Sequence, residues 1–349
     1  MGAFTFFPWF VVKEKIIIGD FELHPYLVGR NDFGIGNVVD PYLKSYESFP
    51  DRSVERVTLL KVKGKDFLDD LTVDERESIF SFREIFAFSL LEDRQYFSQI
   101  GFYTNFDTVQ CIVQSFQPGH VGVAVTARTR AGQRMMAYSG KSFKVSSPFH
   151  VKAGEVYEID STLAKCLMAA YESENFEKYD LAIFNFNRAN SDNETTTPYV
   201  ELVLICSAFE RLLEIDPSRE DVLVAKFLKV MAIQREHEET NKREVWIRDF
   251  YQSRGQFAHG KKRALKKSLW SINEHLLLAT FVFHILLKIK LSEGGFYTLA
   301  DDDQFNIYFF DHLIKSTNLF ESIADDLWKW NDLKNELVWN WILDKKKYL

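Results

Sequence analysis

A change of pattern near Ala153 constrains the fold of this chain more than any other feature. From there on, apolar residues recur at helical spacing in six successive segments, separated by residues that stop or cap helices. The predicted helices span residues 156–172, 176–189, 198–215, 221–233, 244–259 and 265–291. Because short connections make successive helices antiparallel neighbours, the pattern predicts a helical bundle over residues 151–292.

The first 150 residues have a mixed pattern. Segments rich in β-branched residues and bounded by Gly, Asn, Asp or Pro predict strands at 11–18, 56–63, 108–116 and 121–128. Thr72 and Glu75 have the spacing of a capping box, which predicts a helix from Thr72 to about Glu92. Gly34-Ile35-Gly36 is interpreted as a turn, because no helix with a phosphate-facing N-terminus is expected to follow it closely. Residues 1–150 are therefore predicted to form a mixed α+β domain.

The region from 293 to 349 is predicted to be a helical extension. It begins at Gly294-Gly295 and ends with four tryptophans, Trp328, Trp330, Trp339 and Trp341. Docking back onto the protein or forming an interface would bury these indoles, and both alternatives stay open. The predicted fold class is thus α+β: a mixed N-terminal domain, an all-α bundle and a Trp-rich extension.

Composition excludes several classes of protein. The chain is 46% hydrophobic, enough for real cores, and its net charge of −7 means that any contact with nucleic acid must come from a local patch. The three cysteines, Cys111, Cys166 and Cys206, indicate buried thiols in a reducing compartment, and no metal-binding motif or cofactor is predicted. Without a signal-peptide pattern or an apolar run long enough for a bilayer, we expect a cytoplasmic protein with no membrane partner.

The strongest chemical signal lies at the end of the fifth predicted helix. Arg254 and His259 stand there with four residues between them, and the densest basic run of the chain follows. Arginine stays charged and forks onto phosphate oxygens, whereas histidine exchanges protons near neutral pH. The combination indicates a site for an RNA phosphodiester. The basic side chains expected to hold the RNA backbone are Lys261, Lys262, Arg263, Lys266 and Lys267.

A bundle in which a Phe209-Glu210-Arg211-Leu212-Leu213 helix precedes a helix ending in Arg-x4-His-Gly resembles the HEPN superfamily, and its Apea-like branch in particular. The resemblance covers residues 155–291. It implies a metal-independent endoribonuclease that acts as a homodimer through the helical bundle, of the kind found among toxins and phage-defence proteins. It also implies an acidic residue, here Glu210, that supports the Arg and His. The implied partners are RNA, a second copy of the chain, and an antitoxin or sensor.

Two positions depart from the family pattern. The residue after the Arg is often Asn, Asp, His or Ser, and here it is Gly255. The branch paired with nucleotidyltransferase antitoxins typically has a Tyr two residues after the His, where this chain has Lys261. The second departure disfavours a toxin that is silenced by adenylylation of that tyrosine.

The chemistry sets geometric requirements. Cleavage to a 2′,3′-cyclic phosphate needs a base, an acid and positive charge on the phosphorane. Positions five apart on a helix are offset by about 140° around its axis, so Arg254 and His259 of one chain need not reach the same phosphate. A two-fold dimer solves this problem, because it brings a second copy of each residue to the interface. Next to Gly260 at the helix end, His259 is expected to favour the protonated, acid form. The sequence leaves open whether Glu210 holds the imidazole or Arg254.

Several alternatives stay open. If Arg254 is an ordinary residue of the helix surface, it would pair with Asp249 or Glu244. If the basic run is a solvated helix face, it would bind no ligand. Lys242, Arg243 and Arg248 would extend the basic patch if RNA binds there. The alternative functions are a catalytically silent bundle that binds RNA or nucleotide and dimerises, and a structural partner in a larger assembly.

Overall fold

The computed structural model describes most of the chain. The described residues are 2–49, 52–90, 108–116, 122–129, 132–139, 144–148, 151, 153–157, 159–173, 176–191, 196–216, 219–232, 240–258 and 268–315. The chain divides into two compact units, one of Met1–Leu90 with Thr104–Met168 and the other of Leu91–Tyr103 with Ala169–Leu349. Among the described residues the strands all lie in the first unit and the second contains helices, so the protein belongs to the α+β class.

The strands of the first unit form a five-stranded sheet, a three-stranded sheet and a hairpin. The five-stranded sheet has the order β2 (Ile16–Ile18), β3 (Phe21–Leu27), β6 (Arg56–Val62), β1 (Gly2–Phe7) and β7 (Ile112–Phe116), with antiparallel neighbours. The three-stranded sheet has the order β10 (Val145–Ser146), β4 (Tyr46–Phe49) and β5 (Arg52–Ser53). The hairpin joins β8 (Gly122–Thr129) to β9 (Gly132–Ser139).

Both faces of the five-stranded sheet are covered by helices. On one face, helix α1 (Gly36–Leu43) contributes Val39, Tyr42 and Leu43 to a core that also contains Phe4, Phe6 and Leu59. On the other face, helix α2 (Val73–Ser89) stacks Phe82 on Phe21 with ring centroids 4.4 Å apart. Buried on both sides, the interior strand β1 lacks the alternation of apolar and polar residues that marks a half-exposed strand.

The capping box predicted at Thr72 and Glu75 is confirmed. The Thr72 hydroxyl accepts the Glu75 backbone N–H at 3.2 Å, and the Glu75 carboxylate accepts the Thr72 backbone N–H at 2.7 Å. The helix that follows ends at Ser89, three residues before the predicted end.

Two predictions for the first unit are wrong. Helix α1 begins at Gly36, directly behind the turn that was expected to have no helix after it. The strand predicted at 11–18 is confined to Ile16–Ile18, while Val11 forms an isolated bridge to Val156. The predicted strands at 56–63, 108–116 and 121–128 correspond to β6, β7 and β8.

The described helices from Ser161 onward follow the order of the predicted helices. They are α3 (Ser161–Tyr171), which crosses the division between the units, α4 (Glu177–Ala189), α5 (Pro198–Leu212), α6 (Glu220–Met231), α7 (Thr240–Ala258), α8 (Ile272–Glu293) and α9 (Asp301–Leu313). Helix α8 starts later than predicted because Ser271 and Glu274 form a capping box there. The four tryptophans near the C-terminus lie outside the described residues.

Helix α8 is the core of the helical unit. Of the described helices it alone has the length and apolar composition of a membrane span, and 78% of its most apolar 18-residue window is buried. Phe283 stacks on Phe186 of α4 with ring centroids 4.8 Å apart, and Phe281 meets Phe309 of α9 edge-on at 5.8 Å. These contacts are typical of a core helix.

Candidate active site

Arg254 lies on the buried stripe of α7. The stripe consists of residues spaced three or four apart, among them Trp246, Phe250 and Tyr251. Arg254 is the next position on the stripe after Phe250 and Tyr251, and its side chain is only 16% exposed. A guanidinium at such a position needs a buried acceptor, because a buried charge is costly unless it is paired.

Glu210 on α5 provides that acceptor. It lies one turn after Cys206 on the buried side of α5, and its side chain is 5% exposed. The two helices pack through Phe209 and Phe250, whose ring centroids are 5.4 Å apart. The packing of these rings brings the carboxylate at the end of α5 against the last turns of α7.

Glu210, Tyr251 and Arg254 form one hydrogen-bonded cluster, which we call the Glu–Tyr–Arg cluster. Arg254 Nη1 donates to Glu210 Oε1 at 2.9 Å, and Arg254 Nη2 donates to Oε2 at 3.3 Å. The Tyr251 hydroxyl donates to Glu210 Oε1 and accepts from Arg254 Nη1 at 3.0 Å. The guanidinium also lies over the Tyr251 ring, 5.3 Å from its centroid. The sequence left open whether Glu210 holds the imidazole of His259 or the guanidinium of Arg254. In the structure Glu210 holds Arg254.

The hydrogen bonds of the cluster use only part of the guanidinium of Arg254. Of the five N–H groups of Arg254, Nη1 uses two and Nη2 uses one within the cluster. The buried Nε has no hydrogen-bond partner among the described residues. Buried donors are nearly always paired, so this one calls for an explanation such as a ligand or a catalytic role.

Tyr251 is the member of the site that the sequence analysis missed. A tyrosine on the apolar side of a helix is typical of a core residue, and only 6% of its surface is exposed, yet its hydroxyl joins the ion pair. The available signal was its position three residues before Arg254, which places two side chains next to each other on a helix.

Gly255 leaves open space beside the cluster. A Cβ at this position would meet no heavy atom within 4 Å in the described chain, and the backbone φ is not positive. Gly255→Ala is therefore expected to stabilise the protein by about 0.5–1 kcal/mol, because alanine favours the helix. Urea denaturation measures the change. The control is Gly36→Ala, whose Cβ would lie 2.8 Å from Asn31 Cα, so that this variant should lose stability. A loss of stability in Gly255→Ala would contradict the open space.

His259 and the basic run from Lys261 to Lys267 lie outside the described residues, so their predicted roles stay predictions. Two of the three cations expected to extend the basic patch are engaged elsewhere. Arg243 is buried, donating from Nε and Nη2 to Asp311 and from Nη1 to the Met231 carbonyl, so it is not available to RNA. Arg248 is paired with Asp221 at 2.9 Å and with Glu244 at 2.9 Å, which neutralises it. Lys242 is exposed.

The alternative partners considered for Arg254 are also engaged elsewhere. Glu244 pairs with Arg248, and Asp249 Oδ2 accepts from the Ser268 hydroxyl at 2.8 Å and from the Leu269 backbone N–H at 2.9 Å. His275 Nε2 lies 3.3 Å from the same oxygen. Burial raises the pKa of Asp249, but the hydrogen bonds from His275 and Ser268 outweigh this effect and leave it below its ordinary value. Asp249 thus anchors the segment that leads into α8.

Two further observations complete the surroundings of the site. Burial raises the pKa of the Cys206 thiol, one turn before Glu210, well above its ordinary value, so it behaves as an apolar neighbour of the cluster. Among the described residues, no group of three or more His, Cys, Asp or Glu side chains is arranged to hold a metal ion.

Comparison of the chain with protein-family models, with curated proteins and with solved structures finds no match in any of the three.

Proposed function

We propose that this protein is a metal-independent endoribonuclease that acts as a homodimer, built on a HEPN-like helical bundle between a mixed N-terminal domain and a helical extension. The observation that carries the proposal is the Glu–Tyr–Arg cluster. Arg254 is held by a buried carboxylate from an earlier helix, and its buried Nε has no hydrogen-bond partner in the part of the chain that the structure describes. This is the arrangement that the resemblance to HEPN proteins implies for Glu210 and Arg254.

In the proposed mechanism, Arg254 binds the phosphate that is cleaved. Nη2, which gives one hydrogen bond to Glu210, donates its second to a non-bridging oxygen and stabilises the negative charge that develops on the phosphorane. Glu210 and Tyr251 fix the plane of the guanidinium, so little reorganisation is needed during the reaction. His259 protonates the leaving 5′-oxygen, and a second histidine, from the other protomer, takes the proton of the 2′-hydroxyl.

The proposed mechanism uses two histidines at one phosphate. Because each chain contributes one His259, the dimer is part of the proposal. Light scattering should give twice the chain mass of 40.8 kDa. The basic run after His259 would hold the flanking RNA backbone, which makes RNA affinity fall as salt rises. The proposed setting is a cytoplasmic toxin or defence effector controlled by an antitoxin or sensor.

Incubation of the purified protein with total RNA in EDTA tests the proposed activity. We expect discrete fragments ending in 2′,3′-cyclic phosphate, because the mechanism uses the 2′-hydroxyl and no metal ion. His259→Ala should abolish the fragments. Intact RNA after incubation with the wild-type dimer, or equal cleavage by His259→Ala, would refute the proposed activity.

A second candidate is a catalytically silent bundle that binds RNA or nucleotide. Gly255 favours it, because the family often has a polar side chain at this position and glycine provides none. Since a side chain at this position meets open space, Gly255→Asn should fold normally. Cleavage that appears only in Gly255→Asn would support the silent bundle, whereas cleavage by the wild type excludes it.

A further inference from the structure

Asp249 of α7 holds the residues that directly precede α8. Its Oδ2 accepts hydrogen bonds from the Ser268 hydroxyl at 2.8 Å and from the backbone N–H groups of Leu269 at 2.9 Å and Trp270 at 3.4 Å. Helix α8 has a cap of its own, because Ser271 forms a capping box in its first turn. The bonds from Asp249 go to the residues before this cap, so they fix the end of the connection between the two helices, residues 259–267, rather than the start of α8.

Both ends of this connection are fixed to α7, on either side of Arg254. The connection leaves α7 after Ala258, and Ser268 returns to Asp249, nine residues before Ala258. At a rise of about 1.5 Å per residue these two points are about 14 Å apart along the helix, whereas ten peptide links can span about 33–36 Å. Arg254 lies between them, five residues after Asp249 and four before Ala258.

The sequence of the connection contains the remaining groups of the proposed site. They are His259 and the five basic residues from Lys261 to Lys267 that are proposed to hold the RNA backbone. Fixing both ends of a chain segment restricts the volume that its side chains can reach, and so raises their effective concentration at a site between the ends. Release of one end would therefore lower the fraction of molecules in which these groups reach the RNA together with Arg254.

The anchor consists of polar groups in a largely aromatic environment. His275 is fully buried, its Nε2 lies 3.3 Å from Asp249 Oδ2, and its ring centroid lies 5.8–6.4 Å from those of Trp246, Phe250 and Trp270. The buried Nδ1 of His275 has no hydrogen-bond partner among the described residues. Because an incompletely paired polar group in such a place costs free energy that an apolar side chain would not, stability alone does not account for this anchor.

We propose that Asp249 is a positioning residue for RNA cleavage: through Ser268 and Leu269 it keeps the connection, with His259 and the basic side chains, close to Arg254. This role rests on the proposed function. Asp249 does not itself contact the RNA, and it acts only through the connection.

Asp249→Ala is expected to lower the single-turnover cleavage rate at saturating RNA by about 10- to 100-fold, because misplaced catalytic groups slow a reaction even when the substrate is bound. Asp249→Asn keeps an oxygen that accepts from Ser268 and Leu269, so its rate should return to within about threefold of the wild type. The rates are measured below the unfolding temperature of each variant, which circular dichroism determines.

The control is Ser271→Ala, which removes the cap of α8 and lowers the thermal stability but leaves the bonds of Asp249 in place. Its cleavage rate should stay close to that of the wild type. Equal rates for Asp249→Ala and the wild type would overturn the positioning role, and so would a loss in Ser271→Ala as large as that in Asp249→Ala.

Limited digestion with trypsin measures the anchor without RNA, because trypsin cuts after the basic residues of the connection. Loss of the hydrogen bonds to Asp249 favours opening of this segment, so digestion between Lys261 and Lys267 should be at least about fivefold faster in Asp249→Ala and close to wild type in Asp249→Asn. Mass spectrometry identifies the fragments. Equal digestion of Asp249→Ala and the wild type would overturn the anchor.

The two measurements separate this inference from the proposed activity. If digestion of Asp249→Ala is faster but the wild type never cleaves RNA, the anchor stands and the proposed activity fails. If the wild type cleaves RNA and Asp249→Ala cleaves it equally fast, only the positioning role fails. Should Asp249→Ala not fold, Ser268→Ala removes one bond and keeps the carboxylate, so the same changes should appear at smaller size, and their absence would overturn the proposal.

Discussion

Arg254→Lys is expected to lower the rate of RNA cleavage by about 10²- to 10³-fold, the effect of removing one fixed donor from a developing oxyanion. Lysine keeps the positive charge beside Glu210 but lacks the planar fork that reaches Glu210, Tyr251 and a phosphate at the same time. Because the ammonium still neutralises the buried carboxylate, we expect the variant to remain folded and dimeric. Single-turnover cleavage of a defined RNA measures the rate, and circular dichroism and light scattering monitor the fold and the mass.

The same exchange at Arg248 is the matched control. Arg248 lies on the same helix, but it is more exposed than Arg254 and is already paired with Asp221 and Glu244. Arg248→Lys should therefore change the cleavage rate by less than about twofold. Equal rates for Arg254→Lys and the wild type would show that the guanidinium of Arg254 has no role in the reaction.

Glu210→Ala is expected to destabilise the protein by about 3–5 kcal/mol. Removal of the carboxylate leaves the buried guanidinium of Arg254 without a counter-charge and the Tyr251 hydroxyl without its acceptor. Glu210→Gln keeps the shape and one acceptor oxygen, so its loss should be smaller, about 1–3 kcal/mol. Urea denaturation gives both free energies of unfolding, provided that each variant unfolds in a single transition.

Glu244→Ala provides the comparison for a surface pair. Glu244 lies one turn before Arg248 on α7 and is 40% exposed, so its removal should cost only about 0.3–0.5 kcal/mol. If Glu210→Ala were no more damaging than Glu244→Ala, Glu210 and Arg254 could not form the buried pair described above.

The helical unit could be predicted from the sequence because its signals are local. Apolar stripes and stop residues depend on residues within one or two turns, and so does the capping box at Thr72 in the first unit. Helix α1 could not be found in this way, because it is eight residues long, begins at Gly36 and contains Pro41. Strand β3 is hidden in a similar way, because it contains Pro25, which has no N–H to donate to a neighbouring strand. Since β2 pairs only with Phe21–Leu23, Pro25 loses no hydrogen bond to β2.

The pairings within the site depend on tertiary packing, and the sequence contains only part of that information. Spacing along α5 and α7 places Glu210 and Arg254 on the buried stripes, but the rotation of one helix against the other decides which side chains meet. Arg243 illustrates the same limit. Next to Lys242 it resembles a surface cation, whereas its carboxylate partner Asp311 lies 68 residues further along the chain. For both the Glu210–Arg254 pair and the Arg243–Asp311 pair, the sequence contained one signal, a charged residue at a buried position of a helix.

The most direct test is a structure of the protein with a bound 2′-O-methyl RNA, which cannot be cleaved. We expect a two-fold dimer in which one phosphate accepts a hydrogen bond of about 2.7–3.0 Å from Arg254 Nη2, while Glu210 and Tyr251 keep their contacts with the guanidinium. His259 of one protomer should lie within reach of the same phosphate. An RNA bound elsewhere, with Arg254 contacting only Glu210 and Tyr251, would reduce the cluster to a structural ion pair and contradict the proposed activity.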